Sequence, residues 1–267
     1  MRLAVLAIGG LALATLASSA FAQTVIVQDS FSGDPNSITY PIGTQTTVDL
    51  PGTSLQQVGG SVNTTLIWAT TWGFPPGLYL ASQGMGVALS LGSYNTGSFE
   101  ISADLLSSNG SGVGDASLGF YGAAPAAADG YANPLPGFYG LELINTGTAS
   151  TTGIAPVIDG TVGPLVSVAN DLINTPQLLN FVVNADGSLG TVLLNGTAVA
   201  GLGSVSFGTG NTNYFGFVDG FEQNNRGYIT NLTLTQTAVP EPGTYAMVLS
   251  GLGMLLGIQR MRSRRSA

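Results

Sequence analysis

Cysteine, histidine and lysine are all absent from this chain of 267 residues. Without cysteine there are no disulfides, no thiol nucleophile and no thiolate metal site. Without histidine, a Ser-His-Asp triad, a Cys-His pair and a His-ligated zinc are excluded. Without lysine, so are a Ser-Lys dyad and a Schiff base. Charge of either sign is scarce, at 7% of residues, and the arginines gather at the ends: Arg2, then Arg260, Arg262, Arg264 and Arg265. Between residues 23 and 238 the single Arg226 faces thirteen acids, a net of −12. Phosphate binding depends on Lys and Arg, so this charge balance excludes nucleic acid as a partner and disfavours anionic lipid surfaces. With the charges this sparse and a hydrophobic fraction of 44%, the stretch reads as folded rather than disordered.

Long apolar runs occur only at the two ends. Residues 1–22 open with Arg2, continue through an apolar stretch from Leu3 to Ala17 and close on Ala20-Phe21-Ala22. This is the pattern of a secretory signal peptide with an A-x-A cleavage site, placing the first mature residue at Gln23. It names the Sec translocon and signal peptidase as partners. An exported chain without disulfides must hold together by core packing, sheet hydrogen bonds or bound ions.

At the other end, Val239-Pro240-Glu241-Pro242 precedes an uncharged stretch from Thr244 to Ile258 and the four closing arginines. The prolines end whatever structure comes before them and hold their neighbours extended. The apolar stretch is short of the roughly 20 residues that span a bilayer comfortably. Gln259 and the long arms of Arg260 and Arg262 cover part of the difference. Arginines after an apolar segment act as a cytoplasmic stop, so a membrane-spanning segment is expected at about residues 244–259, with a basic tail at 260–265. A core helix would not end in four arginines. The three-part order resembles the PEP-CTERM sorting signal of Gram-negative bacteria. That resemblance covers residues 239–267 and implies recognition and cleavage by an exosortase, a membrane-embedded cysteine peptidase-like enzyme. It further implies inner-membrane tethering before processing, then delivery to the cell surface or an exopolysaccharide matrix. It carries no information about the fold or activity of what precedes it.

Residues 23–238 are long enough for one domain. Runs rich in Val, Ile, Thr, Leu and aromatics alternate with Gly, Asn, Asp, Ser and Pro clusters, giving strands at Ser61–Ala69, Met85–Leu91, Ser98–Leu105, Ser117–Tyr121, Gly137–Ile144, Leu178–Val183, Thr191–Leu194, Tyr214–Val218 and Tyr228–Thr235. In the last of these, simple alternation puts Tyr228, Thr230, Leu232 and Leu234 on one side, and Ile229, Asn231, Thr233 and Thr235 on the other. Asn184-Ala-Asp-Gly187 and Asn195-Gly196 have hairpin-turn chemistry. Many short strands with no sustained helical period predict an all-β, antiparallel sandwich. Phe181-Val-Val-Asn-Ala-Asp-Gly, Val192-Leu-Leu-Asn-Gly-Thr and Tyr214-Phe-Gly-Phe followed by Gly227-Tyr-Ile-Thr-Asn-Leu-Thr-Leu resemble the closing strands of concanavalin-A-like lectin/glucanase jelly rolls. Asp29-Ser-Phe-Ser-Gly is similar to their opening strand. Another sandwich topology remains the alternative.

Carboxylate-only glycoside hydrolysis is the one enzyme chemistry the residue types leave open. Glu100 and Asp104 share a strand face but lie ~13 Å apart along it, against about 5–9.5 Å between glycosidase carboxyls. The related glucanases carry an E-x-D-x-x-E strand, from which Glu100-Ile-Ser-Ala-Asp104 departs, and solvated acids on a wet face are the simpler reading. Calcium is the one cofactor the residues admit. The closest oxygen clusters are Asp29 with Asp34, and Asp219 with Glu222 and Asn224. Neither has EF-hand spacing, and such residues form turns without any metal. Trp72, Phe74 and Tyr131, in Pro- and Gly-rich surroundings, are candidates for carbohydrate contact, although large aromatics more often serve the core. The expectation is an exported, non-catalytic structural or adhesive sandwich. The alternatives are a lectin-like module recognising exopolysaccharide and, behind it, a glycoside hydrolase.

Overall fold

The computed structural model describes residues 23–29, 44–46, 54–59, 66–68, 77–80, 85–107, 113–125, 136–146, 152–168, 175–219, 227–237, 250–256 and 258–259. The chain divides into two compact units: Thr24–Gln236, and Met1–Gln23 together with Thr237–Ala267.

The larger unit is built of antiparallel strands: β1 (Gln23–Asp29), β2 (Thr44–Thr46), β3 (Ser54–Gly59), β4 (Leu66–Trp68), β5 (Leu78–Leu80), β6 (Met85–Ser90), β7 (Ser98–Ser107), β8 (Val113–Tyr121) and β9 (Phe138–Thr146). They continue as β10 (Gly153–Ile158), β11 (Thr161–Val162), β12 (Val166–Ser167), β13 (Gln177–Val183), β14 (Leu189–Leu194), β15 (Thr197–Ala198), β16 (Tyr214–Val218) and β17 (Gly227–Thr237). One sheet runs β15-β14-β13-β7-β17-β5-β4, with β1 added against β17. The other runs β11-β10-β9-β8-β16-β6-β3-β2, with β12 against β10. The expected all-β sandwich is what forms.

Alternation along the strands explains why the sheets face each other. On β7, Phe99, Ile101, Ala103 and Leu105 point into the core, as do Leu179, Phe181 and Val183 on β13. They meet Ala116, Leu118 and Phe120 of β8, Leu141 and Leu143 of β9, and Phe215 and Phe217 of β16. Phe120 joins the two sheets, with its ring centroid 5.1 Å from that of Phe99 and 6.0 Å from that of Phe215. Each of the Val, Leu, Ile and Phe side chains among them, fully buried, stabilises the fold by about 1.5–3 kcal/mol.

The hairpins follow their turn residues. Asn195 and Gly196 take φ of 52° and 77° between β14 and β15, the left-handed pair that a two-residue turn requires. The Asn195 side chain then accepts a hydrogen bond from Leu178 N at 2.9 Å and donates to Gln177 Oε1. In the β13–β14 turn, Asp186 Oδ1 accepts from Ser188 N and Ser188 Oγ, and these bonds lower the Asp186 pKa.

One expectation needs correction. In β17 the core members are Ile229, Leu232 and Leu234, so unbroken alternation fails. Asn231 adopts φ 50°, a conformation asparagine tolerates better than most residues, and this bulge shifts the inward parity by one residue. β1 includes Asp29, while the rest of the expected opening stretch, Ser30 to Gly33, lies outside the described residues.

In the smaller unit, residues 250–256 and 258–259 are helical. No helix among the described residues is long and apolar enough to cross a membrane; the first part of the expected 244–259 segment lies outside them.

Candidate functional site

The two sheets turn very different outer faces away from the shared core. On the first sheet, β7 presents Ser98, Glu100, Ser102 and Asp104, flanked by Leu178, Asn180 and Val182 of β13 through the pairs Asp104↔Leu178, Ser102↔Asn180 and Glu100↔Val182. Both acids are engaged by amides from neighbouring strands. Asn180 Nδ2 donates to Glu100 Oε1 at 3.3 Å, and Asn231 Nδ2 donates to Asp104 Oδ2 at 2.7 Å. The same left-handed turn of the backbone that resets β17 therefore aims the Asn231 amide at β7. Leu178 is 40% exposed among them. The result is a strand-borne array of carboxylates, amides and hydroxyls with apolar carbon between, a surface able to hydrogen-bond a polyol and cover its C–H faces. Beside it, Tyr228 bonds to Thr230, and burial first, then the nearby Asp104 charge, push its pKa up to about 12.

On the second sheet the outer face is closed. Gly140, Gly119 and Gly216 are aligned across β9, β8 and β16 in register. A Cβ on Gly140 would sit 2.7 Å from the Phe138 ring, and one on Gly216 2.6 Å from the Tyr121 ring. The glycines are therefore filled by aromatic rings. Tyr121 and Phe138 contact edge to face at 5.1 Å and form a second buried cluster with Ala88, Val157 and Val218, against which Tyr214 packs. Burial raises the Tyr121 pKa.

One row further along the strands, this face carries Ser117 and Glu142 as direct partners, with Asp115 two residues away. Asp115, Ser117 and Glu142 are 8%, 0% and 2% exposed. Sequence reading did not single out this pair of acids. The cue was available: Asp115, Ser117, Gly119 and Tyr121 alternate with the core residues Ala116, Leu118 and Phe120, and Glu142 falls on the same side of its own strand.

The other sequence candidates divide between placed and undescribed residues. Asp219, directly after β16, is fully buried, while its proposed companions Glu222 and Asn224 lie outside the described residues. Asp29 ends β1, and Asp34 lies outside them. Among the described residues no three acids, histidines or cysteines gather as a metal site. Trp72, Phe74 and Tyr131 fall outside the described residues, as do Ala20, Ala22, Val239, Pro240, Glu241, Pro242, Arg260, Arg262, Arg264 and Arg265. Gln23 opens β1 and is exposed. Glu100 and Asp104 lie four residues apart on one continuous strand, a spacing of ~13 Å along it. Together they do not form a glycosidase pair.

Residues 238–265 match the PEP-CTERM protein-sorting motif, so the terminal resemblance holds. β17 ends at Thr237, directly before it. No curated protein matches the chain significantly. Solved structures of similar architecture include the Emp47p carbohydrate recognition domain, at 14% identity and a TM-score of 0.44, covering 79% of this chain and 97% of that one. A Bacillus subtilis protein of unknown function with a galectin-like fold is 11% identical, with a TM-score of 0.44 and coverages of 82% and 100%. Trypanosoma rangeli sialidase bound to the inhibitor DANA is 16% identical, with a TM-score of 0.46, but the 77% of this chain that aligns spans only 30% of that one. A further sialidase is covered over 18% of its length.

Proposed function

We propose that this is an exported protein, sorted by a PEP-CTERM/exosortase system to the cell surface or extracellular matrix, where its β-sandwich acts as a non-catalytic structural or adhesive unit. The observation that carries the reading is the sorting motif at residues 238–265, adjoining a folded body that ends at β17. In this reading residues 1–22 are the signal peptide, removed by signal peptidase after Sec export, and residues 23–238 are the mature domain. Residues 239–267 are the sorting signal, holding the body on the periplasmic side of the inner membrane until exosortase acts.

The non-catalytic part rests on chemistry. The chain has no histidine, cysteine or lysine, the two acids of β7 are too far apart along the strand for glycosidase work, and Asp115 and Glu142 are buried. A lectin-like role in binding exopolysaccharide is the second reading, and the Glu100–Asn180 and Asp104–Asn231 face favours it. Calcium through Asp29 and Asp34, or Asp219, Glu222 and Asn224, has only residue chemistry behind it.

Fractionation of the native host into membrane, surface and medium, followed by intact mass measurement, tests the main reading. The expected product begins at Gln23, ends near the Pro-Glu-Pro segment and appears outside the inner membrane. A chain found only in the membrane and still carrying Arg265 overturns surface delivery. For the second reading, glycan-array binding that is lost in Asp104→Asn would support the β7 face; no binding by the native protein would reject it.

A further inference from the structure

We infer that the mature protein is blocked at its amino terminus by cyclisation of Gln23 to pyroglutamate. The inference rests on the signal-peptide reading above, because only cleavage after Ala22 exposes the α-amine of Gln23.

The structure supplies what the reaction needs at that residue. Gln23 is the first residue of β1, and the boundary between the two compact units falls directly after it. β1 pairs with β17 in the first sheet, so the new terminus starts a strand. Gln23 is exposed, whereas Val27 further along β1 is fully buried. Gln23 is therefore not held in the core, and its carboxamide lies within reach of its own amine through three side-chain torsions.

Ring closure is intramolecular, and holding nucleophile and carbonyl on one residue replaces a bimolecular encounter. The α-nitrogen attacks Cδ, the Cα-nitrogen to Cδ bond forms, and the Cδ–Nε2 bond breaks. The amine proton passes to the departing nitrogen, which leaves as ammonia. No oxidant, metal or second substrate is consumed. Closure turns only the side-chain torsions of Gln23 and leaves the peptide bond to Thr24 untouched, so β1 need not shift in its ladder. The lactam keeps one N–H as a donor, while the ammonium charge is lost.

The loss of charge has a consequence for this chain. A free α-amine has a pKa of about 7.7–8.0 and would be the mature body's second positive group beside Arg226. With the lactam in place, Arg226 alone faces thirteen acids. The terminus also ceases to be a substrate for aminopeptidases that require a free amine.

The experiment is amino-terminal peptide mass spectrometry of the full chain recovered from its native host, paired with Edman sequencing before and after pyroglutamyl aminopeptidase. The expected result is a peptide starting at Gln23 that is lighter by one ammonia, silent to Edman chemistry until the peptidase exposes Thr24. A peptide starting at Gln23 at its full mass with a free amine overturns the lactam and leaves the cleavage reading standing. A peptide starting elsewhere overturns both. Gln23→Glu keeps the side-chain length but replaces the ammonia leaving group with water. This variant is expected to retain a free amine, and a variant that is equally blocked would also overturn the inference.

Discussion

The outer faces of the two sheets obey the same two-residue alternation and come to opposite ends. On β7, the residues from Ser98 to Asp104 that point away from the core are polar, and the acids there are held by amides of neighbouring strands. On β8, β9 and β16, Asp115, Ser117, Tyr121, Phe138, Glu142 and Val218 point away from the core and are nonetheless buried. Strand period alone reports that a face alternates with the core; the side-chain volumes decide whether that face is wet or closed. On the second sheet a row of glycines leaves room for the rings of Tyr121 and Phe138 to lie against the strands.

If the closed face behaves as a second core, truncating one of its buried rings should cost as much as a core substitution. Phe138→Ala, fully buried and beside Tyr121, is expected to destabilise the body by about 3–5 kcal/mol, read by urea denaturation of the body. A loss under about 0.5 kcal/mol, the usual scale for an exposed position, would abolish the distinction between the faces. Gly119→Ala is next. A Cβ there would lie 2.2 Å from the Tyr139 carbonyl oxygen and 2.5 Å from Gly140 Cα, both backbone atoms that can yield only by spreading β8 from β9. The expected cost is about 1–3 kcal/mol, and an unchanged denaturation midpoint would show that the strands lie further apart.

Alkaline titration compares the faces through one tyrosine each. Tyr121 belongs to the closed face and Tyr228 borders the open one, and burial raises both pKa values, that of Tyr228 to about 12. A phenol whose folded pKa exceeds its unfolded value favours the neutral form in the native state. Its contribution is therefore complete below about pH 10 and is lost as pH rises through the folded value. Tyr228→Phe should lessen the fall in stability between about pH 10 and 12. Denaturation midpoints at pH 9 and 11.5 that fall equally in variant and native protein would remove Tyr228 from the account.

Much of this fold was legible because the signals were local. Asn195-Gly196 specified its hairpin, the apolar residues of β7 specified their face, and the three-part tail specified its sorting motif. The bulge at Asn231 was not legible, since asparagine tolerates a left-handed backbone without requiring it, as Asn180 within β13 shows; simple alternation therefore assigned Ile229 to the wrong side. The closed face was missed for a different reason. Gly119, Gly140 and Gly216 are far apart in sequence and become a row only through register, which depends on long-range pairing. The amide partners of Glu100 and Asp104 come from residues 80 and 127 positions away, so the polar array could be read only as two spaced acids.

The smallest effects belong to the open face, where the comparison is sharpest. Asn231→Ala loses both the hydrogen bond to Asp104 and a residue at ease with φ 50°, and a left-handed backbone costs about 1–2 kcal/mol in an ordinary residue. Asn231→Gly relieves the backbone but still loses the bond, so the difference between the two variants isolates the conformational cost. Glu100→Gln removes a charge from an exposed position and keeps an oxygen that can accept from Asn180. Its effect on stability should stay within about 0.5 kcal/mol. If this face contacts polysaccharide, the variant would change binding while leaving the urea midpoint in place. A stability loss comparable to Gly119→Ala would instead make the β7 acids part of the fold's support, and the second reading would lose the face on which it depends.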